Sequence, residues 1–86
     1  MANFIDPKLL GLPPQTVIEE VKPNTLAIVM NRRSRIIMAD AKKILDKAAK
    51  IRKARPGSKV FLKTTAPVCS KSLQFLEQQG VEVVKE

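Results

Sequence analysis

Hydrophobic residues recur along this chain at two different spacings, and the change of spacing divides it into elements. From Thr25 onward, Leu26 to Met30 is a continuous apolar run with β-branched members, the pattern of a buried strand. Ala41, Ile44, Leu45, Ala48 and Ile51 then recur three and four apart, which predicts a helix from about Asp40 to Arg55, stopped by Pro56 and Gly57. Lys59 to Lys63 reads as a second buried strand and Val81 to Val84 as a third. A helix from around Ala66 to Gln79, closed by Gly80, lies between them. The order strand, helix, strand, helix, strand predicts a small α/β domain with two main helices and a mostly parallel sheet of three to four strands, because each helix must return the chain to the start of the next parallel strand.

The stretch joining the first strand to the first helix admits two readings. Asn31 to Ser34 fits a hairpin turn, with Arg35 to Met38 as a further strand and Asp40 as the helix N-cap. Alternatively the helix starts near Ser34, since Ile37, Met38 and Ala41 keep helical spacing. Ile36 breaks that stripe and adjacent Ile residues suit a strand, which favours the hairpin. Residues 1–24 read as an N-terminal arm with short elements, and 25–86 as the domain. Within the arm Asp6 caps a brief turn, Pro7 takes its first helical position and Gly11 ends it. Gln15 to Val21 suits a short helix or a strand equally, and Pro23 with Asn24 closes the arm.

Composition narrows the chemistry. At 86 residues and 44 % apolar content the chain can build a modest core, and three Phe with no Trp or Tyr make that core aliphatic. One Cys and no His exclude an intramolecular disulfide, Cys/His zinc sites and Ser-His-Asp or Cys-His arrangements. No cofactor is expected, and an enzyme would have to work with Asp, Glu, Lys or the single Cys. Asp40 and Asp46 lie six apart and share no focus for a metal. The N-terminal residues lack a basic leader with an apolar run, and no apolar stretch approaches the roughly 20 residues of a membrane helix, so a cytoplasmic location is expected.

Charge is where the chain is most distinctive. Ten of its sixteen basic residues fall between Asn31 and Pro56, opposed there only by Asp40 and Asp46, so this stretch carries the whole net charge of +8. Lys43, Lys47, Lys50 and Lys53 are predicted to form the outer ridge of the central helix, with Arg32, Arg33 and Arg35 in the loop before it. Such a surface favours polyanions through counterion release, and Lys and Arg contacts to phosphates carry no base information. No aromatic platform for stacking bases accompanies it, because Phe61 is expected in a buried strand and Phe75 in a helix. The expected function is therefore non-catalytic binding of DNA or RNA through phosphates, without sequence preference. A scaffold or protein-interaction module whose basic face meets an acidic partner is the alternative, with self-association through a sheet edge. Lys-rich helix faces are also ordinary solvated surface.

Two smaller features lie after the second strand. Thr64, Thr65, Ser70 and Lys71 gather at a helix start, where free N–H groups attract anions; the same residue types also serve as caps. Cys69 beside Lys71 would be an activated thiol if exposed, whereas a common helical face with Ser72, Leu73 and Leu76 predicts an inert, core-facing sulfur. The segment Lys59 to Val84 resembles the central strand-helix-strand of glutaredoxin-like thioredoxin folds, with Ala66-Pro67-Val68-Cys69 at the place of the Cys-Pro-x-Cys motif and Gly80 closing the helix. That resemblance implies a redox module, the third functional reading. Ala66 occupies the position of the family's attacking Cys, so dithiol chemistry is unavailable and no family assignment follows.

Overall fold

The structure, a computed structural model, describes residues 3–14 and 16–85. Five strands form one mixed sheet in chain order: β1 (Asn3–Ile5), β2 (Val17–Lys22), β3 (Thr25–Met30), β4 (Lys59–Thr64) and β5 (Glu82–Lys85). The first three strands pair antiparallel, and β3, β4 and β5 pair parallel. Helices α1 (Met38–Ala54) and α2 (Ser70–Gln78) make the two parallel crossovers and pack side by side.

A register row explains the core. Ile5, Ile18, Ile28, Leu62 and Val83 are successive partners across all five strands, so their side chains share one face. Ala41, Ile44, Ala48 and Ile51 of α1 and Leu76 of α2 are buried against that face. The next row, Phe4, Glu19, Ala27, Phe61 and Glu82, points the other way, to a face that carries neither helix.

Two expectations are corrected. The sheet has five strands and is mixed, because part of the stretch read as an arm supplies β1 and β2. Gln15 lies outside the described residues, but Val17 to Val21 is strand: Ile18 has inward partners on both sides, a gain in burial that a short helix at this place would not have. Pro23 and Asn24 turn a hairpin between the paired residues Lys22 and Thr25, with Asn24 at φ 62°, the left-handed region that Asn tolerates. The turn at Asp6 forms as expected: Asp6 Oδ1 accepts from Lys8 N at 3.0 Å, and Gly11 takes φ 72°.

The second correction concerns the strand expected at Arg35 to Met38. Residues 31–37 make one bridge only, parallel between Ile36 and Val68, in which Ile36 N donates to Pro67 O at 2.8 Å and Cys69 N donates to Ile36 O at 3.1 Å. Ile36 is fully buried while Ile37 is half exposed, so the Ile pair is one inward anchor and one residue at the helix boundary. Asp40 stands at the third position of α1 rather than at its N-cap, and α2 starts at Ser70, later than expected, because the bridge holds Pro67 to Cys69 extended. No helix among the described residues is long and apolar enough to cross a membrane.

Candidate nucleic-acid interface

The basic residues divide into those the fold consumes and those it leaves outward. Arg32 is consumed. Its Nη2 donates to Asp40 Oδ2 at 2.6 Å and to Arg35 O at 3.2 Å, and its Nε donates to Ser34 O at 3.2 Å. The same Asp40 oxygen accepts from Ile37 N at 3.1 Å, which closes the loop onto the first turn of α1. The Arg32 guanidinium, followed by the Ile37 N–H, holds the Asp40 carboxyl below its ordinary pKa.

Arg52 is consumed as well. It donates to Gly80 O at 2.9 Å and Gln79 O at 3.5 Å, holding the two carbonyls that follow α2 and tying the end of that helix to α1. Gly80 sits at φ 81°, the left-handed region that favours glycine, beside the Arg52 guanidinium. Arg55 pairs with Glu20 of β2 at 3.1 Å, and Lys50 pairs at 3.4 Å with Asp46 one turn earlier. That last pair is exposed and weak, so Lys50 stays usable.

Arg33, Arg35, Lys42, Lys43, Lys47 and Lys53 form no ion pair among the described residues. All but the half-buried Lys47 are exposed. The four lysines lie on the outer side of α1 because Ala41, Ile44, Ala48 and Ile51 occupy the inner side, and helical geometry leaves the complementary arc to solvent. Between α1 and the N-terminal segment runs an open groove of about 560 Å³, lined by Pro13, Lys42, Lys43, Asp46, Lys47 and Lys50. Lys42 was not among the residues expected at the site. The detectable signal was its place in the arc beside Lys43; what hid the groove was its other wall, which belongs to a distant segment. Phe4, the most exposed aromatic, lies on the sheet face away from α1.

The residues of the second candidate differ in burial. Thr64 is fully buried, its Oγ1 donating to Met30 O at 2.6 Å and accepting from Ala66 N at 2.9 Å, so its hydroxyl joins the end of β3 to the turn after β4. Thr65, Ser70 and Lys71 are exposed, and the cap of α2 is Cys69 rather than a hydroxyl residue. Cys69 therefore stands just before the helix, beside the buried Ser72 of the face it was expected to share. Its half-buried sulfur lies 2.8 Å from Ser72 Oγ and accepts from Ser72 N at 3.4 Å. The Ser72 hydroxyl, then the Ser72 N–H, lower the thiol pKa from its ordinary value, with a smaller contribution from the Arg35 charge. Among the described residues no three His, Cys, Asp or Glu side chains converge as a metal site.

Comparison with protein-family models, curated proteins and solved structures finds no significant match. The functional reading thus rests on the arrangement of the residues themselves.

Proposed function

We propose that the domain is a non-catalytic nucleic-acid-binding module that holds phosphates on the outer side of α1, in the adjoining groove and on the Arg33 and Arg35 loop. One observation carries this reading: Arg32, Arg52 and Arg55 are used inside the fold, while six other cations gather around α1 with no internal ion pair among the described residues. Unpaired like charges repel and weaken the folded state slightly, and a polyanion removes that repulsion on binding. The lysines from Lys42 to Lys53 span about 16 Å of helix axis, over which a duplex presents roughly ten phosphates, so the protein's cations set the number of contacts. The absence of an aromatic on this face supports recognition of the backbone without base readout.

Fluorescence anisotropy with a labelled random DNA duplex and a labelled RNA, taken through a salt series, tests the reading. About six contacts correspond to a slope of log affinity against log salt near −5, with the same affinity for unrelated sequences. No binding at low salt to either probe rejects the proposal. Equal binding of poly-glutamate in competition would assign the face to acidic protein partners instead.

A further inference from the structure

The face of the sheet opposite the helices exposes more large apolar side chains than a solvated antiparallel sheet ordinarily does. Six large hydrophobic residues are substantially exposed in the described structure, and four of them, Phe4, Val17, Val21 and Val84, lie on this face. Half-buried Phe61 joins them in the same row as Phe4. We propose that this face packs against the same face of a second copy, forming a two-fold symmetric dimer.

The charges select a second copy as the occupant. Glu19 on β2 and Lys63 on β4 meet at 2.9 Å across β3, with side chains only 12 % and 27 % exposed. Their desolvation is largely complete in the single chain, so covering them adds little cost. The other charges facing this side include Lys22 on β2 and Lys59 on β4 with Glu82 on β5, so cations and a carboxylate lie together there. A two-fold contact brings a patch onto itself, and a patch of mixed sign can set Lys22 or Lys59 of one copy against Glu82 of the other. The outer side of α1, all cationic apart from Asp46, cannot do this. An edge-to-edge dimer is less suited, because the edge strands β1 and β5 are only three and four residues long.

The area suits a weak dimer. Strands of 3, 6, 6, 6 and 4 residues, at about 3.3 Å per residue and about 4.8 Å apart, present roughly 400 Å² per copy, so two faces bury about 800 Å² in all, the range of transient association. The aligned sheets lie about 10 Å apart. The dimer places the two basic faces on opposite outer sides, but it does not depend on what those faces bind.

Sedimentation equilibrium of the full chain tests the dimer at protein concentrations from about 1 to about 500 μM, a range that brackets weak association. The mass should rise from 9.6 kDa to twice that value. Val17→Lys and Val84→Lys, each at a position about 40 % exposed in the single chain, should weaken association at least tenfold while far-UV circular dichroism reports an unchanged fold. Leu9→Lys, at an exposed position outside the sheet, should leave it unchanged. If a lysine variant does not fold, Phe4→Ser, at a position 66 % exposed, is judged by the same criterion. A wild-type chain that stays at 9.6 kDa throughout overturns the proposal, as do folded sheet-face variants that remain dimeric.

Discussion

Arg32 Nη2 and Asp40 Oδ2 meet at 2.6 Å across the start of α1, and this contact turns a residue of the basic cluster into a structural clamp. Both side chains are about a third exposed or less, and the Asp40 oxygen also accepts from Ile37 N. Asp40→Asn should lower stability by about 1 kcal/mol at pH 7, through loss of a charge-assisted bond and of a negative charge in the first helical turn. Asp40 has a folded pKa below its ordinary value of 3.8, so its stabilising contribution is complete above that value and is lost as pH falls through the folded pKa. Urea denaturation of both proteins from pH 7 downward should show their difference shrinking only below about pH 4. A constant difference down to pH 2 would contradict the assignment.

Removing a free cation and removing a consumed one should have opposite signatures. Lys43→Ala and Lys53→Ala should each reduce the salt slope of nucleic-acid binding by about 0.9 per lost phosphate contact while changing stability by less than about 0.5 kcal/mol. Arg52→Ala should mainly destabilise, by about 1 kcal/mol, through loss of the charge-assisted bond to the exposed Gly80 carbonyl that ties the end of α2 to α1. Parallel salt titrations and urea melts separate the two classes. Equal salt slopes for the lysine variants and the wild type would show that the ridge does not touch phosphate.

Thr64→Val keeps the shape of a buried side chain and deletes its hydroxyl. Met30 O then loses a donor and Ala66 N loses an acceptor, so a loss of about 1 to 3 kcal/mol is expected. Binding measured on the folded fraction should be unaffected. A loss of binding without loss of stability would instead place Thr64 in contact with ligand.

The Cys69 thiol should react with iodoacetamide along a pH profile whose midpoint lies below its ordinary value of 9.0. Ser72→Ala removes the hydroxyl that contributes most, so the midpoint should move upward toward that value. Coincident profiles for the two proteins would mean that the sulfur does not hold the Ser72 contact in solution.

Core and ridge positions on α1 differ by one residue in sequence and by their side of the helix. Ile44→Ala should cost roughly 2 to 5 kcal/mol, because Ile44 is 1 % exposed and its removal leaves a cavity. Thermal melts that placed Lys43→Ala at a similar cost would put the ridge inside the fold.

Local pattern was sufficient to place α1, β3, β4 and β5 and the capped turn at Asp6, but not the burial of β5, which was expected to be buried and as an edge strand exposes all but Val83. It was insufficient for β2, where Glu19 and Glu20 interrupt the apolar positions and strand identity comes from Ile18 meeting Ile5 and Ile28. It misled at Ile36 and Ile37, because two adjacent β-branched residues also satisfy a single bridge followed by a helix start.

The sequence by itself determined the α/β class, the helix order and the presence of a cationic side on α1, since spacing alone decides which residues of a helix share a face. Tertiary structure decided which cations are available. Arg32, Arg52 and Arg55 find their partners 8, 28 and 35 residues away, distances at which no local period carries information. It also decided that Cys69 caps α2, because the bridge between Ile36 and Val68 sets where that helix can begin. The apolar open face belongs to the same category: Phe4, Val17, Phe61 and Val84 come from four different strands, and only strand pairing places them side by side.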